Sequence, residues 1–336
     1  MLTKPDLADD LISACVHDGF GLPVSKVAFL PLGADVNSAV YRVTVEDGTS
    51  YFLKLRRGST DDVSMAIPAL LYAQGIRSVM APIATTAQTL SVNRHGFQWM
   101  LYPFFEGTNG FEAGLSQAQW VTLGASLKAI HTARLPALLL GHVPREDYTP
   151  RWRALVKLFQ VQVEQSTFDD PLAARLAAFW IAKRDEIRAI VERAEQLAQV
   201  LTGRDVELVL CHADLHAGNV LLGAHDALAI VDWDTLIVAP KERDLMFVGA
   251  GIGDVWNTAL EEAWFYQGYG PAMLDPHALA YYRYERIVAD IAAYAEQLFG
   301  VVGSVDDRAE GLRQLMGQFD PNSVVEIAHR SYAQLA

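Results

Sequence analysis

VELVLCHADLHAGNVLLGAHDALAIVDWD, residues 206–234, is the stretch on which the reading of the chain turns. VELVLC, VLLG and ALAIVD are short apolar runs of strand character, and the HADLHAGN between the first two is a polar loop. A segment that only built a core would not need two histidines, an aspartate, a glycine and an asparagine there. Side chains on a loop between buried strands are held by a rigid frame, which suits catalysis.

Asp214 and Asn219 are five residues apart, and Asp232 lies thirteen further on. Phosphoryl transfer needs that set: a carboxylate to orient a hydroxyl and accept its proton, then an amide and a second carboxylate to hold Mg²⁺ against phosphates. Magnesium takes oxygen ligands and keeps several waters, so one Asn and one Asp beside a nucleotide suffice. Each residue alone also has a structural role open to it. Asp214 can cap a turn, Asn219 can take a left-handed conformation beside Gly218, and Asp232 can close its strand. The joint spacing favours chemistry. A zinc site on His212 and His216 lacks a third ligand; His212 is expected to brace the loop backbone.

Working outward, 336 residues exceed the size at which single cores usually divide. The formal net charge of -13 argues against a nucleic-acid surface, which would cluster Lys and Arg. An acidic cleft for a cationic ligand and simple self-repulsion in solution are both compatible with it, the second being the default. No apolar run is long enough to span a membrane, and the first residues do not have the pattern of a signal peptide. A cytoplasmic monomer is expected. Cys15 and Cys211 are far apart in sequence and are read as buried thiols.

Two textures divide the chain. Up to residue 103 it is mostly strand-like: VAFLPLG, SAVYRVTVEDG, SYFLKLRRG and TLSVNRHGFQWMLYPF, the last with a hairpin turn at Asn93 to Gly96. One helix, Asp61 to about Gln74, interrupts the strands. Pro103, Gly107 and Gly110 end the pattern, so the boundary is drawn between a lobe of residues 1–103 and a mainly helical lobe of residues 104–336. In the second lobe Ser116 caps a helix with Trp120, Leu123, Leu127 and Ile130 on one side. Thr149-Pro150 and Asp170-Pro171 each read as a cap before a first-turn proline, and one long helix then runs to about Leu201.

HADLHAGN followed by IVDWD resembles the aminoglycoside phosphotransferases and their choline-kinase-like relatives. The resemblance implies an α+β, two-lobed, protein-kinase-like fold, with an N-terminal antiparallel sheet carrying one helix and a larger helical C-terminal lobe. It implies Asp214 as catalytic base, Asn219 and Asp232 as metal ligands, and Mg²⁺ with ATP, or alternatively GTP, as cofactors. APKERDLMFVGAGIGDVWN and YYRYERIVADIAAY are most similar to the spectinomycin-phosphorylating branch of that family. An antibiotic kinase acting on an aminocyclitol hydroxyl is therefore expected. The alternatives are a metabolite kinase for choline, homoserine or a sugar, and a nucleotide-binding module without activity.

The same resemblance assigns the remaining parts. In SYFLKLRRG, Phe52 and Lys54 alternate with Leu53 and Leu55, and Lys54 is similar to the family's phosphate-binding lysine. Its carboxylate partner is expected to be Asp62 or Asp61, since the following helix contains no glutamate. PLGADVNSAVYRV stands in the place of the phosphate-covering loop with a single glycine, Gly33, and amides near Ala34 to Ser38 for phosphate. The adenine is expected against backbone at Leu101 and Tyr102. A cationic acceptor is expected among Asp234, Asp254, Glu285 and Asp290, stacked on Trp256. Arg286 with Asp290 reads as an i,i+4 surface pair beside the core stripe Tyr284, Ile287, Val288 and Ile291. Asp244 reads as a structural acid bonding the catalytic loop.

Overall fold

The computed structural model describes residues 3–33, 37–58 and 63–335. In chain order the elements are α1 (Asp9–Phe20), β1 (Val24–Leu30), β2 (Ser38–Val45), β3 (Ser50–Arg57), α2 (Val63–Ala73), β4 (Val92–Arg94), β5 (Phe97–Pro103) and β6 (Gly107–Asn109). The helices α3 (Gln117–His131), α4 (Ala137–Leu140), α5 (Arg151–Gln165), α6 (Pro171–Ala182) and α7 (Arg184–Leu201) follow. Then come β7 (Val209–Cys211), β8 (Val220–Gly223), β9 (Leu228–Ile230) and β10 (Ile237–Ala239). The chain closes with α8 (Glu242–Leu245), α9 (Ala259–Tyr269), α10 (Pro276–Phe299), α11 (Val305–Gly317) and α12 (Val324–Ala333). This is the expected α+β arrangement, an antiparallel sheet first and helices after it. Among the described residues no helix is long and apolar enough to cross a membrane.

The first compact unit consists of Met1–Ala113, Arg134–His142 and Gly218–Thr235. Its five-stranded antiparallel sheet has the order β1-β2-β3-β5-β4. The β4–β5 hairpin turns through His95 and Gly96, both at positive φ, as the Asn93 to Gly96 pattern requires. Alternation decides the two faces. Leu53 and Leu55 lie fully buried in a core with Tyr41, Trp99 and Leu101 that also contains Ile12, Val16 and Phe20 of α1. Phe52 and Lys54 therefore point to the other face. A three-stranded sheet of order β6-β8-β9 belongs to the same unit. Its strand β9 is tied to the segment after α2 by Ile230 N–H to Ser78 O (2.6 Å) and Met80 N–H to Ile230 O (3.0 Å). Those bonds fix the chain two residues before Asp232.

The second unit is Gly114–Ala133, Val143–Ala217 and Leu236–Ala336. Its central element is α10, which buries Tyr281, Tyr284, Ile287, Val288 and Ile291 and is packed by α5, α7, α11 and α12. Helices α3 and α9 approach very closely: a Cβ on Gly124 would stand 2.1 Å from the Phe265 carbonyl oxygen, and one on Gly268 1.9 Å from that of Val121. Ser116 caps α3 in a capping box with Gln119, and Asp170 caps α6 through the amides of Leu172 and Ala173, both as expected. Two expectations change. Helix α5 has no side-chain cap; the Thr149 and Tyr148 carbonyls instead accept from the Arg153 guanidinium. The long helix ending at Leu201 is two helices that break at Lys183, and Asp185 with Glu186 supplies acid to the new first turn of α7. The thiols behave as read: Cys15 and Cys211 are free and buried.

Candidate active site

In the first unit a cavity of about 480 Å³ opens on the polar face of β3. Gly33, Lys54, Tyr102, Asn219, Asp232 and Asp234 all line it, with apolar walls from Val40, Phe52, Met80 and Phe104. Six residues singled out from separate parts of the sequence thus meet at one concave surface. The Lys54 ammonium lies 3.2 Å from Asp232 and 2.6 Å from Asp234. Arg56, two residues on along the same strand face, adds a second cation 2.9 Å from Asp234. Burial alone would push the Lys54 ammonium down, but the carboxylates of Asp232 and Asp234 outweigh it and hold the lysine charged, above its ordinary value. Asp232 sits at φ 63°, a left-handed conformation rare outside glycine that its neighbours must hold.

Some placements differ from expectation, and others lie outside the described residues. Asp62 and Asp61 fall outside the described residues, as do Ala34 to Val36 of the phosphate-covering loop. Asp234, expected near the acceptor, faces Lys54 and Arg56 in the cavity. Tyr102 lines the cavity, whereas Leu101 is fully buried and its carbonyl accepts from Ile83 N–H at 2.7 Å. Leu101 is a core residue of the sheet.

The second unit carries Asp214. Its loop is held from behind by Asp244, which is 1% exposed. Asp244 Oδ1 accepts from Ala213 N–H at 2.7 Å, and Oδ2 from His212 N–H at 2.9 Å. His131 Nε2 reaches Oδ2 at 2.9 Å, and its Nδ1 meets the Tyr269 hydroxyl at 2.8 Å. The close α3–α9 packing sets that last contact. Burial alone would raise the Asp244 carboxyl; its hydrogen bond to His131, with the other bonds and charges around it, keeps it below the ordinary carboxylate value. His212 is fully buried, and its Nδ1 accepts from Asp214 N–H at 3.3 Å, the bracing role expected of it. His131, Cys211 and Asp244 also have the composition of a metal site. The carboxylate's oxygens already take three N–H groups, and the Cys211 thiol donates to the Ala239 and Pro240 carbonyls, so the cluster acts as a brace.

Asp214 itself accepts a close hydrogen bond from Arg286 Nη1 of α10, and His216 Nε2 stands 3.7 Å from the same oxygen. Burial would raise the Asp214 carboxyl, but Arg286 and His216 outweigh it, so the group stays ionised at neutral pH. Arg286 also holds Asp290 through Nε at 3.0 Å. An i,i+4 spacing predicts Arg286 and Asp290 as a surface pair, yet both side chains are about one-quarter exposed and the arginine reaches Asp214.

The remaining acids and the ring expected around an acceptor divide. Asp254 is exposed on a turn before α9. Glu285 is 8% exposed and pairs with Arg153 at 3.1 Å; burial pushes its carboxyl up to about 7 against the pull of that arginine. Trp256 is 1% exposed, with its ring edge-on to Trp120 at 5.2 Å. It has no free face on which a ligand could stack.

Comparison with known proteins gives a consistent result. The model of the phosphotransferase enzyme family, APH, matches residues 28–282. A crystal structure of spectinomycin phosphotransferase, APH(9)-Ia, in complex with ADP and spectinomycin is similar at 36% identity and a TM-score of 0.90, over 98% of this chain and 99% of that one. The AMP-bound complex of spectinomycin phosphotransferase gives 36% identity and a TM-score of 0.85, over 95% and 98% of the two chains. Amicoumacin kinase hAmiN with AMP-PNP, Ca²⁺ and Ami shares the fold, at 18% identity, a TM-score of 0.59 and coverage of 94% and 95%. No curated protein matches.

Proposed function

The chain belongs to the APH phosphotransferase enzyme family and is a phosphotransferase with an alcohol group as acceptor; from that premise we propose that it moves the γ-phosphoryl of ATP to a hydroxyl of spectinomycin or a closely related aminocyclitol. The observation that carries the reading is the 36% identity, over nearly the whole of both chains, with a protein whose structure holds ADP and spectinomycin together.

The chemistry follows from the residues already placed. Lys54 supplies a fixed positive charge in the cavity for phosphate oxygens, and Arg56 stands behind it. Asn219 and Asp232 offer an amide and a carboxylate on the same cavity wall, an all-oxygen donor pair that suits Mg²⁺. Held there, Mg²⁺ would neutralise phosphate charge. Asp214, ionised and aimed by its neighbours, orients the acceptor hydroxyl and takes its proton. A new O–P bond forms to that hydroxyl oxygen, the bond from the γ-phosphorus to the bridging oxygen breaks, and ADP leaves with the electron pair. Asp254 remains the exposed acid for an acceptor amine, while Asp234 acts in the nucleotide cavity.

The test is ADP release by the purified protein with Mg²⁺ and ATP or GTP, using spectinomycin, choline, homoserine and a sugar in parallel. Spectinomycin-dependent ADP release is expected, and Asp214→Asn should lower it about 10²–10⁴-fold, the usual range for a general base. Turnover of choline, homoserine or the sugar with none of spectinomycin would replace the acceptor and leave the family chemistry standing.

A further inference from the structure

We propose that Arg286 is the positioning residue for Asp214, and that Asp290 serves the reaction by holding Arg286 and does not bind the acceptor's ammonium. The proposal rests on the reading of Asp214 as the base. Its observation is a chain of side chains within the second unit. Gln318 Nε2, just beyond the C-terminal end of α11, donates to Asp290 Oδ2 at 2.9 Å. Arg286 Nε donates to the same carboxylate, at 3.1 Å from Oδ2 and 3.0 Å from Oδ1. Arg286 Nη1 then donates to Asp214 Oδ1.

The arrangement is more than an incidental ion pair. Asp214 and Asp290 are 20% and 25% exposed at their side chains and share one guanidinium that is 24% exposed. The planar fork lets Arg286 bond both acids at once, which the point charge of a lysine does not reproduce. Arg286 lies on the central helix of the unit, next to fully buried Ile287. Its backbone is thereby fixed, and Asp290 with Gln318 fixes the side chain. Asp214 sits in a loop with no regular ladder of its own, so a rigid donor at its carboxylate sets where the oxygens point.

Positioning is what this reaction asks of its carboxylate. A loose phosphoryl-transfer transition state leaves little negative charge to be drawn from the hydroxyl, so orientation matters more than basicity. A carboxylate paired with a guanidinium is a weaker base but a better-oriented one. The same bond also changes what Asp290 can do. Its oxygens already take Arg286 and Gln318, and an incoming ammonium would meet the like charge of Arg286 beside it. Asp290 therefore already has its cation, Arg286.

The experiment is steady-state kinetics on Arg286→Gln, Arg286→Lys, Asp290→Asn and Asp214→Asn, with Mg²⁺, ATP and spectinomycin, or with whichever panel acceptor is turned over. Misplacement by about 1 Å typically costs about 10²-fold. Arg286→Gln should lower kcat about 10- to 100-fold, with the acceptor KM within about threefold. Arg286→Lys should recover part of the loss, and Asp290→Asn should lower kcat in the same direction without raising KM. Unchanged kcat in Arg286→Gln overturns the proposal, as does a raised acceptor KM with intact kcat in Asp290→Asn. If Arg286→Gln does not fold, Asp290→Asn and Arg286→Lys decide by the same split. Normal turnover by Asp214→Asn would instead overturn the base assignment. An inactive Asp214→Asn beside a fully active Arg286→Gln overturns the positioning role alone.

Discussion

Asp244→Asn preserves the shape of the brace behind the Asp214 loop and removes its charge, so its effect can be worked from the contacts. The carboxylate offers two oxygens to three donors: the backbone N–H groups of Ala213 and His212 and the Nε2 of His131. An asparagine offers one oxygen. If its NH₂ replaces Oδ2 it faces the His212 N–H, and if it replaces Oδ1 it faces the Ala213 N–H. In either orientation a buried backbone donor loses its acceptor, which costs about 1–3 kcal/mol. The bonds that survive change from charge-assisted to neutral, losing about 1 kcal/mol more. Ala213 stands at φ 69°, and a non-glycine residue there carries about 1–2 kcal/mol of strain that the bond to Asp244 helps hold. The loop therefore has a relaxed alternative once the brace weakens.

A local loss of about 2–4 kcal/mol corresponds to opening about 30- to 10³-fold more frequent, at 1.36 kcal/mol per decade. Hydrogen exchange at the His212 and Ala213 amides reads that directly, and exchange faster by that factor is expected together with a fall in kcat. Exchange at both amides within about threefold of the unsubstituted protein would refute the reasoning, because the two N–H groups would then not depend on the carboxylate. The pH dependence has a definite sign. The folded Asp244 carboxyl lies below its ordinary value of 3.8, so its stabilisation is complete above that value and is lost as pH falls through the lowered one. The difference between Asp244→Asn and the parent should accordingly vanish in acid.

Two further outcomes follow from the packing. Gly268→Ala should destabilise the second unit by about 1–3 kcal/mol or more, since the new methyl would lie 1.9 Å from a backbone oxygen that cannot rotate away; a thermal midpoint unchanged from the parent would show that α3 and α9 separate freely. Glu285 has a folded value of about 7 against 4.5 ordinarily, so the folded state binds the extra proton and stability contributed at low pH is lost as pH rises between those values, by about 3 kcal/mol at most. Urea unfolding of the parent and of Glu285→Gln should show a difference that shifts against the parent over that interval, and a difference flat in pH would place the Glu285 carboxyl at its ordinary value.

What the sequence made legible was local or periodic. Alternation in SYFLKLRRG was enough to put Lys54 opposite the buried Leu53 and Leu55, and turn chemistry was enough for the hairpin at His95 and Gly96. A linear boundary at residue 103 could not anticipate that Gly218–Thr235 joins the first unit, because β6 pairs with β8 across more than a hundred residues. Long-range pairing leaves no period in the chain. The break at Lys183 was hidden for a related reason: no glycine or proline marks it.

The acids show the same limit in its chemical form. Forty acidic residues against twenty-seven lysines and arginines promise carboxylates in plenty for a cationic ligand. Availability is a different quantity from number, and tertiary structure sets it by deciding which cation stands beside each acid. Glu285 has Arg153, Asp234 has Lys54 and Arg56, and Asp290 has Arg286. Each pair already satisfies much of its own charge, and opening one to admit a ligand would leave a partly buried cation unpaired, a larger penalty than an exposed acid would incur. An i,i+4 spacing made Asp290 look like the whole explanation of Arg286, when the guanidinium also bonds Asp214, seventy-two residues away. The acids that a ligand can use are those the fold has not already matched, and for the same reason the arginine that reaches Asp214 is one that sequence spacing explained too easily.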